Sequence, residues 1–244
     1  MKVGSLISGI LLFAYNICFC QSPVKAREEF AKIKEAYDEH KSFSFDVKVV
    51  GYKTPTDKTP EIIGKGTTKK GNGFKYSRFD DVECIQHENN TLYIDHSYKI
   101  ISYYEYTKKR PSQLATPSDM TSVMDSIWKR YDTVLVYKGV ENNLKHFVVS
   151  NQTDQIKQSD LYFNAGTNLL EKVVYYYNTN NENYEPEYSS VITYYGNYNY
   201  NNPSAEACNT KKFIMKNGNE FKPTLAYKEY KVQYYDLTKR TSKH

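Results

Sequence analysis

The 244-residue sequence predicts an α+β domain that is mainly β: one large, mostly antiparallel sheet with helices confined to one face. Three observations carry this. Residues 26–52 switch from a helical period to a strand period within a few residues. A succession of short strands at hairpin distances follows, with helical patterning in only one further place. Tyrosine is extreme in number, 25 residues against 11 Phe and one Trp, and tyrosine suits strands whose faces are half wet.

Residues 1–20 read as a secretion signal. Lys2 supplies the charged start, and Leu6 to Tyr15 is an apolar run too short to span a bilayer. Cys18 and Cys20 occupy the small-residue positions of a cleavage site before Gln21. The competing reading, a lipid anchor at Cys20 or Cys18, wants a small residue before the cysteine, but Phe19 and Ile17 stand there. The expected mature chain is a single domain, residues 21–244, released in soluble form with no transmembrane segment. It keeps 32 Lys and Arg against 28 acids. These charges are interspersed, which describes a solvated surface rather than a nucleic-acid footprint.

Ala26, Phe30, Ile33 and Tyr37 recur at spacings of four, three and four, one apolar stripe on a charged helix. Phe43, Phe45, Val47 and Val49 then alternate with Ser42, Ser44, Asp46 and Lys48, so one face of a strand is apolar. A helix this short needs a surface to pack on, and the strand offers one. Strands are expected at 61–70, 73–79, 82–87, 91–95 and 99–106. Asn72-Gly73 marks a two-residue hairpin turn. After a basic, proline-bearing loop, Ser118 and Asp119 are placed to cap a second helix over 120–130 with Met120, Val123, Met124, Ile127 and Trp128 on one face. Further strands are expected at 133–138, 145–150, 158–163, 170–178, 188–195, 212–216 and 227–237, with 196–207 read as a long Asn/Tyr loop.

The order of an amphipathic helix, Ser42-Phe43-Ser44-Phe45, Gly64-Lys65-Gly66, the basic turn and aromatic strand from Lys69 to Tyr76, and Leu92-Tyr93-Ile94-Asp95 resembles the LolA/LolB-like family of periplasmic lipoprotein carriers. The resemblance covers residues 24–135. It implies a curled antiparallel sheet, an unclosed half-barrel, with the N-terminal amphipathic helix and a second helix on its concave face. Acyl chains of lipoproteins lie between sheet and helices in that family. Its classical carriers latch the lid with an Arg before the aromatic strand. Lys70 stands nearest to that position, and an ammonium cannot make the bidentate fork of a guanidinium. The C-terminal Pro-rich motif of those carriers is missing.

The functional expectation is therefore an exported, periplasmic carrier or binding protein for an apolar ligand, a lipid or an acylated protein, with no cofactor. The apolar residues expected to face the ligand are Phe45, Val47 and Val49 on the first strand. Leu92 and Ile94 are expected beside them, with Phe147, Val149, Leu161 and Phe163 further round. Phe30, Ile33, Met124 and Trp128 would form the lid, and Lys70 its latch. The alternative is an envelope protein that binds a glycan or a protein partner through Tyr195, Tyr198 and Tyr200, read as exposed rings on the Asn-rich loop. No catalytic motif appears, so an enzyme is not expected. His87, Asp95 and His96 fall around one hairpin, but Asp95 and His96 point to opposite faces of a strand, which argues against a metal site. Cys84 and Cys208 are an even pair in a chain expected to meet oxidising conditions, and so a candidate disulfide.

Overall fold

A computed structural model describes residues 23–40, 42–106, 135–150, 155–179, 185–201, 204–218 and 220–238. Helix α1 spans Pro23–Asp38. The strands are β1 Phe43–Tyr52, β2 Glu61–Gly71, β3 Phe74–Phe79, β4 Val82–His87, β5 Asn90–Asp95, β6 Ile100–Glu105, β7 Leu135–Glu141, β8 Leu144–Ser150, β9 Ile156–Asn164, β10 Leu170–Tyr177, β11 Ser190–Asn199, β12 Ile214–Asn217, β13 Glu220–Pro223 and β14 Lys231–Asp236. Twelve of them form one open sheet in the order β14-β6-β5-β4-β3-β2-β1-β11-β10-β9-β8-β7, and β12 pairs with β13 apart from it. Every neighbour in the large sheet is antiparallel except β14, which lies parallel to β6.

The mainly β class and the single open, largely antiparallel sheet follow the expectation. The hairpin at Asn72-Gly73 forms as read, with Gly71 opposite Phe74 and Gly73 at a φ of 79° that glycine adopts without strain. The second helix, with Met124 and Trp128, lies outside the described residues. Three local readings change. β11 continues through Gly196 to Asn199, where a loop was expected. The hairpin of β12 and β13 adds a strand the pattern did not show. A bulge opposite Val49 and Val50 falls on β2, where Ile63 is the extra residue; β1 keeps its alternation against β11, and Val50, on the opposite face, is buried while Val47 and Val49 are only half-buried.

The register decides which residues share a face, because directly paired residues point the same way. From Cys84 the ladder runs through Ser77 and Thr68 to Phe45. Val47, two residues on, is opposite Tyr195. Thr193 then leads through Val173, Leu161 and Phe147 to Tyr137. These residues form the face that α1 covers. Ile85, next to Cys84, belongs to the other face with Tyr76, Leu92 and Tyr103.

The two cores therefore lie on opposite sides of one sheet. On the first side α1 packs Ala26, Phe30, Ile33 and Tyr37 against β7 to β10, including Phe147, Leu161, Phe163 and Val173. Phe30 meets Phe147 and Phe163 edge-on, with centroids 6.0 Å and 6.4 Å away. Each such ring contributes about 2–3 kcal/mol by leaving water. On the second side the C-terminal segment brings Cys208, Phe213 and Ile214 onto Ile85, Leu92, Ile94 and Ile101. His96 ties that segment down: its Nε2 is 2.8 Å from Glu83 Oε1 and its Nδ1 is 2.8 Å from the Tyr230 hydroxyl.

Helix α1 crosses the strands rather than following them. Lys25 is over Tyr137 on β7, and Tyr37 meets Phe43 on β1 at 6.2 Å. From β7 to β1 there are five strand spacings, about 24 Å, and 16 helical residues span about the same length. The helix ends where β1 begins.

Candidate functional site

The site is built where α1 ends over β1. Phe43 and Phe45 are both buried and lie 6.0 Å apart, ring to ring. Tyr195 and Tyr198 close on Phe45 at 5.8 Å and 5.5 Å. Two aromatic residues three apart on one strand can share a face only if the strand bulges. Asn197, with φ at 54°, supplies that extra residue, and its side-chain amide donates to Asp46 at 2.8 Å.

Tyr37 locks the helix to this wall. Its hydroxyl accepts the backbone N–H of Leu170 at 2.9 Å and is 3.3 Å from the Tyr198 hydroxyl. Burial pushes the Tyr37 phenol up to about 12 and raises Tyr198 further. One charged anchor holds the other part of the helix. Lys145 on β8, almost fully buried, is 2.6 Å from Glu29 and donates to Asn168 at 2.6 Å. Burial works to raise the Glu29 carboxyl, but the bonds from Lys145 and Lys32 hold it below its ordinary value.

Beyond Tyr37 the surface opens into a cleft of about 550 Å³ lined by Tyr37, Asp38, His40, Ser42, Lys70, Gly71, Asn72 and Gly73. Lys70 Nζ lies 5.5 Å above the Phe43 ring. The His40 ring stacks on Tyr200 at 3.8 Å. In the other direction along β1 the apolar surface continues through Val47 and Val49. The residues paired with them on β2 are Gly66 and Gly64. Phe79 fills the place where their side chains would stand: its ring is 3.0 Å from a Cβ on Gly66 and 2.5 Å from one on Gly64. Phe79 is 38% exposed. The helix-side face of β1 is thus a track from a polar cleft to a half-open apolar strip. Phe43 to Val49 covers about 20 Å at strand rise.

The structure brings together Phe30, Ile33, Phe147, Val149, Leu161 and Phe163 as one packed core under α1. Phe45, Val47 and Val49 are on the same side, at the C-terminal end of the helix. Leu92 and Ile94 are not their neighbours: both are in the core on the opposite face. The residues not foreseen in the track are Phe79, which read as a strand end, and Tyr37, which read only as part of the helical stripe.

Further expectations are corrected by these faces. Cys84 and Cys208 are buried free thiols. Cys208 packs on the side of Ile85, while Cys84 points to the other side, opposite Tyr93. The sheet stands between them, so no bridge forms. Burial pushes the Cys84 thiol up to about 12 and the Cys208 thiol to about 11, which makes both poor nucleophiles. Tyr195 and Tyr198 are not exposed loop rings but pack against the core under α1. His87 bonds the Cys208 carbonyl, His96 bonds Glu83 and Tyr230, and Asp95 accepts the Tyr98 N–H. These three side chains do not converge.

No protein-family model and no curated protein matches this sequence. Some solved structures align with this chain at low identity and at TM-scores below 0.5. An uncharacterized conserved protein from Thermus thermophilus is 8% identical, over 86% of this chain and 99% of its own, with a TM-score of 0.45. A LolA superfamily protein from Nitrosomonas europaea is 10% identical, over 76% of this chain and 98% of its own, with a TM-score of 0.34. An outer membrane lipoprotein-sorting protein domain from Vibrio parahaemolyticus is 9% identical, over 76% and 98%, with a TM-score of 0.35. The family that residues 24–135 resemble is thus among the structural neighbours. Among the described residues, no helix is long and apolar enough to cross a membrane.

Proposed function

We propose that this protein is an exported binding or carrier protein for an amphipathic ligand, a lipid or the acylated end of a protein. The observation that carries this reading is the track along β1. A polar cleft lies at the end of α1, Phe43 and Phe45 are buried next along the strand, and burial then falls away through Val47 and Val49 beside Phe79. An apolar chain laid on that strip would gain about 0.8 kcal/mol per buried methylene without any polar contact. The packed core under α1, with Phe30, Ile33, Phe147 and Phe163, then acts as the support of the site, and helix α1, held by Tyr37, as its wall.

The test is mass spectrometry of organic extracts from protein purified without detergent. A co-purifying lipid in near-stoichiometric amount is the expected result. Extracts free of lipid, together with no uptake of a fluorescent fatty acid, would refute the carrier reading.

A further inference from the structure

The side of the sheet away from α1 carries a line of directly paired residues across six strands. From β8 to β2 they are His146, Tyr162, Lys172, Tyr194, Lys48 and Lys65. Lys48 stands between Val47 and Val49 in β1, so it points away from the helix side. On the same side the C-terminal segment packs against Ile85, Leu92, Ile94 and Ile101, and the line lies outside that core. Tyr162 is held between two partners: the His146 ring stacks on it at 4.4 Å, and Lys172 Nζ lies 3.9 Å from its centroid. Tyr194 is 39% exposed. It is paired with Lys172 on one side and Lys48 on the other.

The next pair sets two like charges directly opposite each other, Lys48 on β1 and Lys65 on β2, an arrangement that costs a sheet stability. Among the described residues no carboxylate pairs with either ammonium. The acids nearby are used otherwise. Asp46, on the same face, accepts the Asn197 amide at 2.8 Å. Asp80 accepts the Lys65 backbone N–H at 3.0 Å. Asp160 accepts the Gln158 amide at 2.7 Å and faces His146 at 3.3 Å. The ring under Lys172 holds its ammonium in place without neutralising it. Three cations and one open ring thus share a line that lacks its counter-charge. We infer that this face binds a linear acidic polysaccharide, a chain of uronate-type sugars laid across the strands, with its carboxylates on Lys172, Lys48 and Lys65 and one sugar face on Tyr194. Each unit of such a chain carries both a C–H face that stacks on a ring and a carboxylate, so ring and ammonium belong in one line. A single-stranded nucleic acid carries bases and phosphates on separate edges, and its sites set stacking rings beside a cationic groove. From Lys172 to Lys65 three strand spacings cover about 14 Å, room for a short run of sugars. The β1 track is on the other side of the sheet, and this inference does not depend on the carrier reading.

The experiment measures binding of four polymers of matched length to the full mature chain by calorimetry. They are polygalacturonate, its methyl ester, polyglutamate and oligothymidylate. The expected result is at least tenfold preference for polygalacturonate over each of the other three, and weaker binding as salt is added. The variants locate the site. Lys48→Gln combined with Lys65→Gln should lose at least tenfold for polygalacturonate, and Lys48→Arg should stay within twofold of wild type. Tyr194→Leu keeps an apolar side chain but no ring, and should lose at least fivefold for polygalacturonate with no change for polyglutamate. Circular dichroism checks that each variant folds, and the comparison of polymers on the wild-type protein stands without them. Equal affinity for polyglutamate, or no loss in folded Tyr194→Leu, overturns the sugar site. Equal affinity for the methyl ester overturns the role of the lysines. Tighter binding of oligothymidylate overturns the inference in favour of a nucleic acid. No binding of polygalacturonate overturns it outright.

Discussion

The hydroxyls of Tyr37 and Tyr198 lie 3.3 Å apart and between them hold both backbone polar groups of Leu170. The Leu170 N–H donates to Tyr37, and Tyr198 donates to the Leu170 carbonyl at 2.7 Å. With the Tyr198 proton so used, Tyr37 donates to Tyr198, and the ring of bonds closes. The need is local. The ladder from β10 to β11 begins only at Lys172, so Leu170, buried under α1, has no β11 partner for these groups.

Tyr37→Phe should therefore leave the Leu170 N–H unpaired at a buried site. A loss of about 1–3 kcal/mol is expected, read as a lower urea midpoint with an unchanged slope. Tyr198→Phe should cost less, because a carbonyl tolerates one missing partner better than an N–H does. If Tyr37→Phe is as stable as wild type, the lock is not closed in solution.

The Glu29–Lys145 anchor predicts a pH dependence. The folded protein holds the Glu29 carboxyl below its ordinary value of 4.5. Its contribution is thus complete above pH 4.5 and is lost as pH falls through the lowered value. Glu29→Gln removes it at every pH and leaves Lys145 with Asn168. The variant should be less stable than wild type at pH 7, by about 2 kcal/mol. That gap should close as both proteins are titrated below pH 4.5. A gap that stays constant in acid would show that Glu29 contributes by packing instead.

The cysteines give a prediction with a yes-or-no answer. Thiol titration of the unfolded, unreduced protein should find two free thiols from Cys84 and Cys208, and the folded protein should react slowly at both. One disulfide and no thiol would mean that the C-terminal segment does not lie on the side of Ile85.

What the sequence reveals here depends on the range of each interaction. The stripe of Ala26, Phe30, Ile33 and Tyr37 is legible because a helical period is local, and all four are buried. The turn at Asn72-Gly73 is legible because its backbone needs glycine. Alternation also tells that Leu92 and Ile94 share a face. It cannot tell whether that face is the one Phe45 points to. That parity passes through the 53–60 loop, where one residue more or less inverts every side chain beyond it. The bulges at Ile63 and Asn197 are single-residue insertions with no signal in the pattern. Without the one at Asn197 Tyr198 reads as loop, and Val50 reads as solvent-facing because alternation alone does not tell that both faces of the sheet carry buried residues. Phe79 is missed for another reason: the space it fills exists only because Gly64 and Gly66 lie beside Val49 and Val47.

The last prediction separates a ligand track from a core. Val47 is half-buried, with Tyr195 on one side and Gly66 on the other. A glutamate there can turn its carboxylate to water past Phe79, so Val47→Glu should fold with a loss of about 1 kcal/mol or less. It should also abolish lipid uptake, because a carboxylate in the middle of the strip would have to be desolvated by the chain. Ile94→Trp is the contrasting variant. Ile94 is fully buried on the opposite face, so overpacking should cost about 1–3 kcal/mol while lipid uptake by the folded fraction is unchanged. The two effects must come apart: one variant stable and inactive, the other destabilised and active. If Val47→Glu instead unfolds the protein as a charge in a closed core would, the half-open strip is closed in solution and the β1 track is not a binding surface.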